Sequence, residues 1–226
     1  MHQAAGNLRL CEQPPRRQLR AAVAGGRAID RARRPPSPGA DSMRIIAGEW
    51  RGRVLKAPQG DATRPTGDRT REALFSILTS RLGSFEGLAV ADIFAGSGAL
   101  GLEAQSRGAA FCTFIDQDRD AVRAIKANIE MLGAKGEVLP IAVSGIGPAR
   151  RAYDLLMFDP PYGSGGAGAL LEKMTRLGWA APSAWATIET RKDEQVSADG
   201  WALDTERTYG IAKLSVLCRT AIEQPD

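Results

Sequence analysis

The sequence predicts a Rossmann-like α/β fold: a mostly parallel sheet with helices on both faces, finished by an antiparallel hairpin. Three observations predict it. From residue 88 onward, short apolar runs alternate with helix-like stretches of about 10–15 residues. Several of these runs are continuously apolar, the pattern of strands buried on both faces. The first run flows directly into Ala95-Gly96-Ser97-Gly98-Ala99-Leu100-Gly101, a G-x-G-x-x-G spacing between a strand and a helix.

Residues 1–42 hold Pro14-Pro15, Gly25-Gly26 and Pro35-Pro36-Ser37-Pro38-Gly39 among scattered arginines and show no apolar period. They are expected to form a disordered basic tail. Either Met43 is the natural start, or the tail is a basic arm that tracks phosphates. One domain is expected over residues 43–220, divided into an N-terminal extension (43–83) and a Rossmann-like core (84–220).

Within the extension, Ile45-Ile46 and Val54-Leu55 read as a short extended region around Gly48-Glu49-Trp50-Arg51-Gly52. Asp68 can cap the helix that follows, whose stripe of Ala73, Leu74, Ile77 and Leu78 ends near Gly83. In the core, strands are expected at 88–94, 111–115, 137–143, 154–158 and 184–189. Helices are expected at 99–107, at 118–132 between Asp118 and Gly133, and at 168–177. Residues 201–207 and 211–218 form the closing antiparallel pair around Tyr209-Gly210.

Composition narrows the chemistry. The chain has 226 residues, 43% of them hydrophobic and 25% charged, which suits a soluble globular domain that needs no disulfide or metal staple. The only histidine is His2, so a histidine triad and a histidine-ligated metal site are both disfavoured, and no metal is expected. Cys11, Cys112 and Cys218 are odd in number, far apart and in no CxxC pair, which argues against a disulfide framework and a zinc site. Cys112 and Cys218 read as buried thiols. The tail carries eight arginines against Glu12, Asp30 and Asp41, so the net charge of +4 belongs to it. The body is close to neutral, and its charge is no argument for a nucleic-acid partner. No apolar run approaches the length of a membrane span, and a signal-peptide core is missing, so a cytoplasmic protein is expected, although an arginine-rich leader can also resemble a transit peptide.

Two motifs carry the function. Glycines at 96 and 98 let the backbone turn tightly and let a ligand approach, and Phe94, Ala95 and Ser97 complete that loop. Asp116 ends the next strand, where a carboxylate can accept from both ribose hydroxyls of an adenosine. That ribose is common to NAD and S-adenosylmethionine. Asp92, inside the glycine loop's own strand, suits a positive amino or sulfonium group and would repel a pyrophosphate.

The strand at 154–158 then leads into Asp159-Pro160-Pro161-Tyr162. Two prolines remove two N–H donors, leaving the Asp159 carboxylate and the Pro160 carbonyl as acceptors, followed by an aromatic ring. An aromatic amine on a nucleobase is a poor nucleophile because its lone pair is delocalised into the ring. Two acceptors holding its N–H bonds localise that lone pair and stabilise the positive charge that develops on nitrogen. The Tyr162 ring gives the base a face to stack on.

In these and its N-terminal motifs the sequence resembles the bacterial 16S rRNA (guanine-N2)-methyltransferases of the RsmD family. The resemblance is carried by Met43-Arg44-Ile45-Ile46-Ala47-Gly48-Glu49-Trp50-Arg51-Gly52-Arg53, Arg64-Pro65-Thr66-Gly67-Asp68-Arg69-Thr70-Arg71-Glu72, the glycine loop through Ala104, and Asp159-Pro160-Pro161-Tyr162. It implies a class I S-adenosylmethionine-dependent methyltransferase fold with a seven-stranded sheet. It also implies a monomer acting on a guanine of 16S rRNA within the 30S subunit or an assembly intermediate. Arg64, Thr66 and Arg69 then fall in the stretch bordering the active site. Around Ile141-Ala142-Val143, where a polar residue would contact adenine, there is none.

Three rivals remain at this level. A nicotinamide oxidoreductase explains the glycine loop but not Asp92 or the proline turn. A DNA amino-methyltransferase acting on adenine or cytosine explains the chemistry, but the body leaves little room for a target-recognition domain. A non-enzymatic RNA-binding assembly factor is the third.

Overall fold

The structure is a computed structural model that describes residues 43–58, 67–161, 163 and 165–220. The tail at 1–42 and the site residues Arg64, Thr66 and Tyr162 lie outside the described residues. Helix α1 (Gly67–Leu82) precedes an alternating core of β1 (Ala89–Ile93), α2 (Ala99–Ser106), β2 (Phe111–Ile115), α3 (Arg119–Leu132), β3 (Gly136–Leu139), a short 3-10 turn (Val143–Gly145), β4 (Tyr153–Phe158) and α4 (Ala167–Arg176). Strands β5 (Ala180–Arg191), β6 (Trp201–Tyr209) and β7 (Ala212–Arg219) complete the chain.

The seven strands form one sheet in the order β3-β2-β1-β4-β5-β7-β6. The first five are parallel, and β7 joins antiparallel to both β5 and β6, as expected from the turn at Tyr209-Gly210. One face carries the core built on Val90, Leu155, Met157, Phe114 and Leu102 together with Phe75 and Leu78 of α1. The other carries Ala91, Ile93, Leu156, Phe158 and Ile188 under Leu171 and Met174 of α4. Alternate residues of each strand feed opposite cores, so every continuously apolar run is used on both sides.

Several expectations are corrected. Strand β3 stops at Leu139, and Val143–Gly145 forms the 3-10 turn instead of extending the strand. Strand β5 runs over twelve residues, not six. Its pairing shifts register between Tyr153 and Leu155, which lets the exposed Pro182 and Ser183 bulge out of the ladder. Asp68 does not cap α1; the helix begins at Gly67, and the carboxylate binds Arg44 and Arg71. Helix α3 does start on an Asp118 cap, which accepts from the N–H groups of Asp120 and Ala121, and it closes on left-handed Gly133. Cys112 is a buried free thiol, and Cys218 is buried as well. Among the described residues no helix is long and apolar enough to cross a membrane, and no cluster of three or more metal-ligating side chains occurs.

The extension is fastened to the core by polar side chains. Its backbone turns back on itself, with Ile45 N–H donating to Arg53 C=O at 2.9 Å and Leu55 N–H to Met43 C=O at 2.8 Å. The fully buried Glu103 of α2 accepts from Ile46 N–H at 2.7 Å and Ala47 N–H at 3.0 Å, and pairs with Arg107 at 2.8 Å. Ser106 receives Trp50 N–H on its hydroxyl and Glu49 N–H on its carbonyl. Asn128 of α3 accepts from Lys56 N–H and donates to Lys56 C=O and to Ser97 C=O. One amide therefore joins the extension to the glycine loop. Arg71 is also buried here, donating to Arg44 C=O and Asp68, and its pKa is lowered by burial while Asp68 opposes the shift.

Candidate active site

The sheet reverses direction of winding between β1 and β4, and the loops that leave the carboxyl ends of these two neighbours define the site. Ile93 pairs with Phe158, so Phe94 and Asp159 emerge side by side. Asp159 N–H donates to Ile93 C=O at 3.3 Å, tying the two loops at their roots. In open α/β sheets, a crevice at such a switch point is where ligands bind.

The glycine loop is tight for identifiable reasons. Phe94 has φ 63°, a value that a bulky residue rarely adopts, and it is the only non-glycine residue with positive φ among the described residues. Gly98 follows at φ 79° as the left-handed N-cap of α2. A Cβ on Gly101 would meet Cys112 Sγ at 2.4 Å and Phe114 Cε1 at 2.5 Å, so the helix lies directly on β2 only because this position has no side chain. Ala95, Ser97 and Gly98 are buried, with Gly96 more accessible. Ser97 Oγ contacts Met43 Sδ at 2.9 Å.

Three carboxylates gather at these strand ends. Asp92 is 1% exposed; its Oδ2 accepts from Gly101 N–H at 2.9 Å, which supplies the cap that Gly98 cannot, and its Oδ1 has no partner. Burial pushes its pKa up to about 8, with Asp159 and Asp116 raising it further and the Gly101 bond opposing. Asp116 does more than face a ligand: its Oδ2 accepts from Gly96 N–H at 2.8 Å and its Oδ1 from Asp118 N–H at 2.9 Å, so it holds the glycine loop in shape. Asp159 is exposed and Pro160 is buried. The crevice thus combines a buried carboxylate oxygen in a negative field with a turn that offers acceptors and no proline N–H. Such a place favours a ligand with positive charge and an amine with N–H bonds to give.

The structure also shows what sequence reasoning missed. Beside Asp116, an open pocket of about 390 Å³ is lined by Gln117, Arg119, Val122, Arg123 and Pro140. The sequence reading did not single out Gln117, which directly follows the strand-end acid Asp116 and lines this pocket. Arg69 lies exposed in the first turn of α1.

Sheet order, glycine loop and proline turn together define a methyltransferase of the class I α/β fold. The chain belongs to the family described as Conserved hypothetical protein 95, whose profile matches residues 43–218. Ribosomal RNA small subunit methyltransferase D of Haemophilus influenzae is 35% identical over 176 residues, covering 75% of this chain and 90% of that one. The solved structure of yhhF from Escherichia coli superposes with a TM-score of 0.69 at 35% identity, covering 80% of this chain and 99% of that one. Magnesium protoporphyrin IX methyltransferase (ChlM) from Synechocystis PCC 6803, solved with bound SAM, shares the fold alone, at 16% identity and a TM-score of 0.52, over 67% of this chain and 79% of that one.

Proposed function

We propose that the protein transfers a methyl group from S-adenosylmethionine to the exocyclic N2 amine of a guanine in 16S rRNA, within the 30S subunit or an assembly intermediate. The observation that carries this reading is the adjacency of a cation-seeking crevice, around Asp92, to an acceptor-only turn, Asp159-Pro160. The related Haemophilus enzyme is named for small-subunit ribosomal RNA, which supports the substrate class.

The residues present fit the cofactor. Asp116 and Asp159 make the field around the buried, unpartnered Oδ1 of Asp92 negative, and a positive ligand would favour the ionised form of Asp92, so the site welcomes positive charge and opposes a pyrophosphate. When bound, S-adenosylmethionine supplies an electrophilic methyl on a positively charged sulfur. Asp92 would hold the positive end, the backbone of Phe94–Gly98 would pass along it, Asp116 would receive the ribose hydroxyls on its remaining lone pairs, and the pocket at Gln117 and Pro140 would take the base.

On the substrate side, the Asp159 carboxylate and Pro160 carbonyl accept the amine's two N–H bonds and keep its lone pair on nitrogen. Tyr162 stacks on the base and fixes its plane. No histidine is needed for any of this. Arg64, Thr66 and Arg69 would contact the RNA beside the site. We read the 43–83 segment as an extension that carries these substrate-side residues, residues 84–220 as the catalytic core, and the enzyme as a cytoplasmic monomer.

The test is to incubate the purified protein with labelled S-adenosylmethionine and, in parallel, 16S rRNA, 30S subunits and duplex DNA. Nucleoside mass spectrometry should find N2-methylguanosine in an RNA arm. Methylated adenine or cytosine in the DNA arm alone would overturn the reading.

A further inference from the structure

The glycine loop has little stiffness of its own, because Gly96 and Gly98 flank Ser97. Its shape is set by the groups that grip it. Asp116 holds Gly96 N–H at 2.8 Å, and Gly98 N–H turns back to Ala95 C=O at 2.6 Å. Between them, the buried Ser97 is gripped twice. Its hydroxyl donates to Met43 Sδ at 2.9 Å, and its carbonyl accepts from Asn128 Nδ2 at 2.9 Å. Both grips lead to the extension. Met43 belongs to it, and Asn128 also takes Lys56 N–H on Oδ1 at 2.8 Å and donates from Nδ2 to Lys56 C=O at 3.0 Å.

We propose that Asn128 is a positioning residue for cofactor binding: through the Ser97 carbonyl it holds the glycine loop in the shape that receives S-adenosylmethionine, with the extension as its anchor. The assignment rests on the methyl-transfer reading above and makes the extension part of the cofactor site as well as of the substrate side.

The chemistry of the amide carries it. Asn128 is fully buried and in line with Ala121, Ala124 and Ile125 on α3, where an apolar side chain would pack without needing partners. Fastening the extension uses its oxygen and only one of its two N–H bonds, since Lys56 takes one and gives one. The second N–H bond goes to Ser97, and nothing in the attachment of the extension requires it. Glu103 and Ser106 already fasten the extension from α2, so the amide at 128 adds what they do not, a bond to the loop. A carboxylate has no hydrogen to give, so only the amide serves both carbonyls and the Lys56 N–H at once. Asn128 acts through the loop backbone and not on the ligand.

Asn128→Asp tests this, because it keeps the acceptor for Lys56 N–H and sets acceptors against the carbonyls of Ser97 and Lys56. The loop then relaxes away, and the cofactor has to restore its shape on binding. Gln105→Glu is the matched control: Gln105 is buried at the far end of α2 from the loop and donates to Lys135 C=O at 2.6 Å, so the same amide-to-acid change meets a backbone carbonyl there. The Kd for S-adenosylmethionine is measured by calorimetry on the full-length proteins. Thermal unfolding, and methyl transfer at saturating cofactor to the RNA that the wild type methylates, are measured alongside. Asn128→Asp should raise Kd by about tenfold or more, and Asn128→Ala, which loses the bond without adding repulsion, by about fivefold. Transfer at saturating cofactor should stay within about threefold of wild type in both, since the bound ligand restores the loop. Gln105→Glu should lower Tm and leave Kd within about twofold. An Asn128→Asp Kd within about twofold of wild type, or a rise that Gln105→Glu reproduces, overturns the assignment. If Asn128→Asp does not fold, an Asn128→Ala Kd within about twofold of wild type overturns it instead. A wild type that binds no S-adenosylmethionine refutes the methyl-transfer reading itself.

Discussion

Replacing Asp92 by asparagine removes one titration from the protein interior while leaving an oxygen for the Gly101 amide. The native pKa of Asp92 is about 8, against an ordinary 3.8. The native state therefore keeps a proton that the unfolded chain has already released, and stability falls as pH rises wherever the native state binds more protons. The contribution is intact below 3.8, declines across the interval and levels off above about 8. The slope is about 1.4 kcal/mol per unit while the native carboxyl is protonated and half that at its pKa, so the step from about pH 6 to about pH 8 removes about 2 kcal/mol. Urea unfolding at the two pH values measures this directly. Wild-type stability should drop by about 2 kcal/mol more than that of Asp92→Asn. Parallel changes in the two proteins would refute the claim that this carboxyl is held protonated by burial.

Three further outcomes are expected. Gly101→Ala puts a methyl against Cys112 Sγ and the Phe114 ring, and overpacking should cost about 1–3 kcal/mol, read as a lowered Tm with weakened cofactor binding. Glu103→Ala leaves the N–H groups of Ile46 and Ala47 without their acceptor and Arg107 without its partner, which should cost about 3–5 kcal/mol by urea unfolding and expose Trp50 to fluorescence quenchers. Tyr162→Phe should keep much of the methyl-transfer rate and Tyr162→Ala should lose it, since stacking uses the ring; equal losses would exclude the stacking role.

How far the sequence could be read follows from the range of each interaction. Alternating elements, the caps of α3 and the left-handed turns are set by neighbours a few residues away, so Asp118, Gly133 and Gly98 were readable in place. The glycine loop and the proline turn are contiguous and declare their chemistry. The length of β5 was hidden because the residues beyond 184–189 include Pro182-Ser183 on one side and are Thr190-Arg191 on the other, where strand pairing depends on β4 and β7. The clamp on the extension was hidden for the same reason: Glu103 lies more than fifty residues from the amides it binds. Asn128 did leave a trace, since it continues the buried stripe of Ala121, Ala124 and Ile125 on α3, where a buried amide has to find partners. The two roles of Asp116 could not be separated, because holding Gly96 and facing a ribose call for the same carboxylate in the same place.

The central claim is that Asp159, together with the Pro160 carbonyl, activates the amine and does not serve chiefly to bind the cofactor. Single-turnover methyl transfer by Asp159→Ala, measured alongside its affinity for S-adenosylmethionine, tests it most directly. The expected result is a rate lowered by about 10²–10³-fold or more, with the cofactor dissociation constant within about threefold of wild type. A variant that transfers methyl at the wild-type rate, or one whose loss is fully explained by weaker cofactor binding, would contradict it.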